Sequence, residues 1–80
     1  MGKITHFFSR IGVVVVEMAH GEIHVGETIH IKGKTTNFTQ KISSLQIESV
    51  DVKSARRGQL VGLKVSKPAK PGDLVLKNKV

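Results

Sequence analysis

The hydrophobic positions of this chain alternate with polar ones instead of recurring every third or fourth residue. Thr28-Ile29-His30-Ile31-Lys32 puts the two isoleucines on one face and the polar residues on the other, the mark of a strand buried on one side. Gly26-Glu27-Thr28-Ile29 begins that strand. The same order of glycine, polar residue, any residue and aliphatic residue returns at Gly58-Gln59-Leu60-Val61 and at Gly72-Asp73-Leu74-Val75. Three turn-into-strand units read as an all-β meander, with a glycine supplying backbone freedom at each turn.

The remaining strands follow from the same reading. Gly2–Phe8 alternates, and its neighbouring Phe7 and Phe8 must point to opposite faces. One is core, and the other either packs at the strand end or offers a stacking face. His6 shares the parity of Ile4, which predicts a position on the rim of the core. Ile11–Met18 contains four successive valines, which favour a strand covered on both faces. Ala19–Glu22 makes a turn. Phe38–Ser49 reads as one long strand, with a bulge or bend at Ser43-Ser44 where the parity of Ile42 breaks from that of Leu45. Residues 50–58 form a connection with room for a helical turn. Gln59–Ser66 is a strand in which Gly62 permits close backbone approach. Lys67–Asp73 turns on its two prolines, and Leu74–Lys77 completes the set. Roughly six strands and no long helix predict an all-β fold, a small closed six-stranded β-barrel of Greek-key type.

Size and charge narrow the function classes. The 80 residues support one domain, drawn over residues 1–80, with a single core that buries roughly 60% of the unfolded surface. With no cysteine, disulfides and thiolate metal sites are excluded. Ile11–Val16 is far shorter than the roughly 20 residues of a membrane span, and the N-terminus lacks a signal-peptide pattern. The expectation is therefore a cytoplasmic protein with no membrane partner. The net charge is +7, and all of the excess lies in residues 34–80, which carry ten of the 13 Lys and Arg residues but three of the six Asp and Glu. That asymmetry points to an anionic partner, RNA first, although lysine-rich surfaces also occur simply as solvated rims.

Catalytic chemistry finds little support. Gly33-Lys34-Thr35 matches the tail of a phosphate-binding loop, but Thr28 stands where its first glycine belongs, and strand alternation follows in place of a helix. No nucleotide is expected. His24 and His30 are six residues apart with no third ligand in sight, so no metal is expected. No nucleophile pairs with a base, and a barrel filled by its own side chains leaves little room for a substrate. The chain is read as a non-enzyme with no cofactor. Its candidate site is a set of cations, Arg10, Lys34, Lys41, Arg56 and Arg57, expected to contact an RNA backbone through charge.

The phrases IGVVVVEMAHGEIHVGETIHIKG, SARRGQLVGLKV and KPGDLVL, in that order, resemble the second, β-barrel domain of the translational GTPases such as elongation factor Tu. The likeness spans residues 3–77: a valine-rich strand, Val25–Ile29, a connection marked by Ala55 and Gly58, Val61-Gly62-Leu63, and Gly72–Val75. It implies a translation-related module that meets tRNA or ribosomal RNA. Departures weaken the aminoacyl pocket. Phe8–Gly12 keeps only one arginine and one glycine of the family's glycine-rich phrase, and Leu60 replaces its asparagine. The chain is similar as well to the accessory C-terminal module of some bacterial collagenase-like peptidases, which implies a protein-interaction module and a protein partner instead.

Overall fold

A computed structural model describes residues 2–77; the domain drawn over residues 1–80 also takes in residues 1 and 78–80, which lie outside the described part. The strands are β1 (Gly2–Phe8), β2 (Val13–Met18), β3 (Glu22–His24), β4 (Thr28–Lys32), β5 (Asn37–Lys41), β6 (Leu45–Ile47), β7 (Val50–Val52), β8 (Ser54–Arg56), β9 (Leu60–Lys64) and β10 (Leu74–Lys77). Eight of them form one curled antiparallel sheet in the order β5-β4-β10-β1-β2-β9-β6-β7, and β3 and β8 form a separate two-stranded ribbon.

The recurring phrase seen in the sequence is a doubly fastened turn. In His24–Glu27, Arg56–Gln59 and Lys70–Asp73 the fourth N–H donates to the first carbonyl at 3.1, 3.2 and 3.1 Å. The glycine in third place has φ of +96, +88 and +94°, as a type II turn requires. The polar residue in fourth place then closes a second ring. Glu27 Oε1, Gln59 Oε1 and Asp73 Oδ2 accept the backbone N–H of His24, Arg56 and Lys70 at 2.6, 2.9 and 2.9 Å. Any side chain ending in a carboxyl or amide oxygen serves, which is why Glu, Gln and Asp interchange at this position. One residue later a strand starts, and the aliphatic residue that follows, Ile29, Val61 or Val75, is fully buried.

Every long strand sends its inward side chains to one core: Ile4, Val14, Val16, Ile29, Ile31, Phe38, Leu45, Val61, Leu63 and Val75. The ribbon covers one end of the curl with Ile23 opposite Ala55, and Ala69 from the β9–β10 connection is buried as well. Gly33 makes the tightest approach. A Cβ there would lie 1.9 Å from Oδ1 of Asp73, itself buried beneath the β4–β5 turn.

Several expectations need correction. The sheet is an open, curled half-barrel, not a closed six-stranded barrel, because its end strands β5 and β7 do not pair. The long strand expected over Phe38–Ser49 breaks at Ile42, so that β5 pairs with β4 whereas β6 crosses to β9. It also stops at a hairpin tip, Glu48-Ser49, where both residues have positive φ (+51 and +64°) without the usual Asn or Gly to announce the turn. Residues 50–58 hold the short strands β7 and β8 and no helical turn. His6 is exposed, since a bulge between Ile4 and His6 reverses the parity. The valines of β2 are covered on one face only, Val14 and Val16 inside, Val13 and Val15 half-exposed outside. Gly62 meets nothing closer than 3.6 Å; the close approach belongs to Gly33.

Two predictions follow from the turns. Gly72→Ala has open space for its methyl group but an unfavourable φ, and should cost about 1–2 kcal/mol in urea unfolding. At the hairpin tip, Glu48→Asn combined with Ser49→Gly should raise stability by about 1 kcal/mol, read from the same unfolding curves.

Candidate interaction surfaces

The turns of an antiparallel sheet fall alternately at its two ends, and this disperses the predicted cations. Arg10 lies in the β1–β2 turn beside the Phe8–Val13 pair. Arg56 and Arg57 lie at the other end of β2, where Gly58 N donates to Met18 O at 3.0 Å. The six residues of β2 between these turns measure about 17 Å. Lys34 sits in the β4–β5 turn, whereas Lys41 ends β5. Arg56 and Arg57 adjoin in one turn with Lys34 at the same end of the sheet, whereas Arg10 and Lys41 fall at the other end. Lys41 instead joins Lys64 in a shallow cleft along with Gln40, Ser43 and Ser66.

The histidines are separated in the same way. His24 belongs to the ribbon and His30 to the main sheet, with a doubly fastened turn between them. His30 hydrogen-bonds the Asn37 side chain through Nε2. Among the described residues no group of three or more His, Asp or Glu is placed to hold a metal ion. Among the described residues no helix is long and apolar enough to cross a membrane.

Two surfaces stand out that none of the sequence motifs marks. The first is the outer face of β1, β2 and β9. His6 and Phe8 stack there with ring centroids 6.1 Å apart, beside the half-exposed Val13 and Val15 and the bare backbone of Gly62. Leu60, 56% exposed, extends this apolar area toward the Glu48-Ser49 tip. The signal was present in the unbroken run of valines, which supplies more apolar residues than one core face can take.

The second surface is the seam between β5 and the exit of β9. Gln40 Nε2 donates to Lys64 O at 2.8 Å, and Gln40 Oε1 accepts from Ser66 N at 2.9 Å. Its signal was a glutamine at a position whose parity, shared with Phe38 and Ile42, points inward. Beyond it opens a cleft of about 620 Å³ lined by Phe7, Thr35, Asn37, Phe38, Lys67 and Lys70, among others.

This fold has counterparts in a peptidase family. No family model matches the chain. A collagenase of Porphyromonas gingivalis is 36% identical over 74 residues, covering 91% of this chain and 20% of that protein. An uncharacterized protease of Methanocaldococcus jannaschii is 34% identical over 76 residues, 94% of this chain and 18% of the relative. The chain thus spans about a fifth of the length of the curated relatives it matches. Among solved structures, the C-terminal domain of a protein described as a U32 peptidase of Geobacillus thermoleovorans superposes with a TM-score of 0.90 at 25% identity, covering 98% of this chain and 90% of that one. Its selenomethionine variant gives 0.88, with 95% of each chain covered. The chain resembles a U32 peptidase C-terminal domain.

The translational-GTPase resemblance and the translation role it implied are overturned by these relatives, which are named as a collagenase, a protease and a U32 peptidase domain. The shared phrases encode doubly fastened turns and the strands that follow them, which are properties of the backbone and carry no activity. The similarity to collagenase-like peptidases is the one that holds.

The outer apolar face adds nothing to the core, so Leu60→Asp and Phe8→Ser should each change stability by no more than about 0.5 kcal/mol in thermal unfolding.

Proposed function

We propose that this chain is the non-catalytic accessory β domain of a U32-type peptidase system, a module that binds polypeptide and leaves hydrolysis to a separate catalytic body. The observation that carries this reading is the pattern of coverage. Nearly the whole chain aligns with a collagenase while accounting for only a fifth of it, so it corresponds to one module of a larger protease. The apolar stretch of the outer face, Phe8, Val13, Val15 and Leu60, is the surface by which the module docks on that body. A sheet covered on one face only normally keeps its outer side polar, and here an apolar stretch interrupts the polar Glu17, Gln46 and Lys64 of that side.

The test uses the chain together with a U32 peptidase truncated of its own C-terminal domain. The chain alone should cleave neither gelatin nor casein. It should associate with the truncated enzyme in size-exclusion chromatography, and a Leu60→Asp, Phe8→Asp double variant should lose that association by about tenfold or more. Peptide cleavage by the chain alone, or association indifferent to both substitutions, would overturn the proposal.

A further inference from the structure

The seam beside β5 has the properties of a slot for an added strand. Val65 N donates to Gly12 O at 2.8 Å, toward β2. By the alternation of an antiparallel ladder, Lys64 and Ser66 therefore turn their peptide groups the other way, toward β5. On the facing strand, Ile42 N donates to Glu27 O and Gly33 N to Thr36 O, so the even-numbered residues of this stretch bond to the β4 side. Thr39 and Lys41 then direct their peptide groups into the seam. Two antiparallel backbones face one another, joined by a side chain where a ladder would be expected.

That side chain is Gln40. Its amide presents one donor and one acceptor to Lys64 O and Ser66 N, the pair of groups a neighbouring peptide unit would offer. An interposed amide with hydrogen bonds of 2.8 and 2.9 Å holds the backbones farther apart than the roughly 4.8 Å of paired strands. β5 is laddered to β4 alone, so it is the strand free to swing outward when the amide is displaced.

Charge selects the occupant. The clefts at the two ends of the seam contain Lys41, Lys64, Lys67 and Lys70 and no Asp or Glu. The aromatic residues there argue against nucleic acid. Phe38 is only 8% exposed and has the Lys67 ammonium 6.0 Å above its ring, while Phe7 is packed against the core. Neither offers an open face for a base to stack on. We infer that the seam accepts an extended acidic peptide, which displaces the Gln40 amide, pairs with the backbone of Thr39 and Lys41 on one side and Lys64 and Ser66 on the other, and completes the half-barrel.

The inference deepens the polypeptide-binding reading, but its test contains no peptidase, so either can fail while the other stands. A short fluorescein-labelled peptide alternating Glu with Val is titrated into the full chain at low salt and followed by anisotropy. It should bind, and the same peptide N-methylated at alternate amides, equal in charge but stripped of strand donors, should bind about tenfold more weakly. The exposed pair Lys41→Glu and Lys64→Glu should weaken binding about fivefold or more, and hydrogen exchange at Thr39, Lys41 and Ser66 should slow when peptide is added. Equal binding of the N-methylated peptide would reduce the seam to a patch of charge and overturn the inference. Absence of binding, or tighter binding of a single-stranded RNA oligonucleotide than of the acidic peptide, would overturn it as well.

Discussion

The structure depends on a turn that is fastened twice. A glycine with positive φ reverses the chain, a backbone hydrogen bond closes the reversal, and a side-chain oxygen from the next residue takes the N–H that would otherwise be left to solvent. The residue after the turn thus enters its strand with a fixed phase. In a half-buried strand phase is decisive, because a slip of one residue sends every inward side chain outward. Three uses of the device place Ile29, Val61 and Val75 in the core. A domain without disulfides, and with Phe7 and Phe38 as its only aromatics at the core, has few other means of holding register.

The rest of the architecture accommodates those three strands. β10 lies between β1 and β4, so the last of the described strands ties the first half of the chain together. Its starting turn brings the Asp73 carboxylate against Gly33, where no larger residue fits. β3 and β8 cannot join the main sheet and instead pair with each other across one end of the curl. The change of partner between β5 and β6 keeps the cylinder from closing. At that gap the backbone ladder is replaced by one glutamine amide.

An incompletely closed, incompletely covered sheet suits a module that works through contact. The outer face leaves valines, Leu60 and Phe8 at the surface, beside a hairpin tip held in a conformation that Glu and Ser seldom adopt. The seam leaves peptide groups together with Lys41 and Lys64 in a cleft that no Asp or Glu lines. These are two different kinds of contact, one apolar and broad, the other directional and charged. They occupy separate parts of the sheet and need not compete.

Much of this was legible beforehand. Period-two alternation fixed the all-β class, and the glycine-led phrases located the starts of β4, β9 and β10, because turn chemistry and strand parity are local and act within four or five residues. The second half's cationic excess and the absence of cysteine were equally plain. The phrases, however, pointed first to the translational GTPases, and the likeness to collagenase-like peptidases entered only as an alternative carried by the same kind of barrel. Open or closed, however, was a question of which strands meet, and that turns on a break at Ile42 and a hairpin at Glu48-Ser49 with no Asn or Gly to mark it. The dispersal of Arg10, Lys34, Lys41, Arg56 and Arg57 likewise followed only from the alternation of turns between the two ends of the sheet. Chain neighbours alone set the conformation of each turn and the phase of each strand. Which edges remain unpaired, and so which groups are left to bind something else, was decided by contacts between residues far apart in the chain, such as Gln40 with Ser66, and no local pattern encodes them.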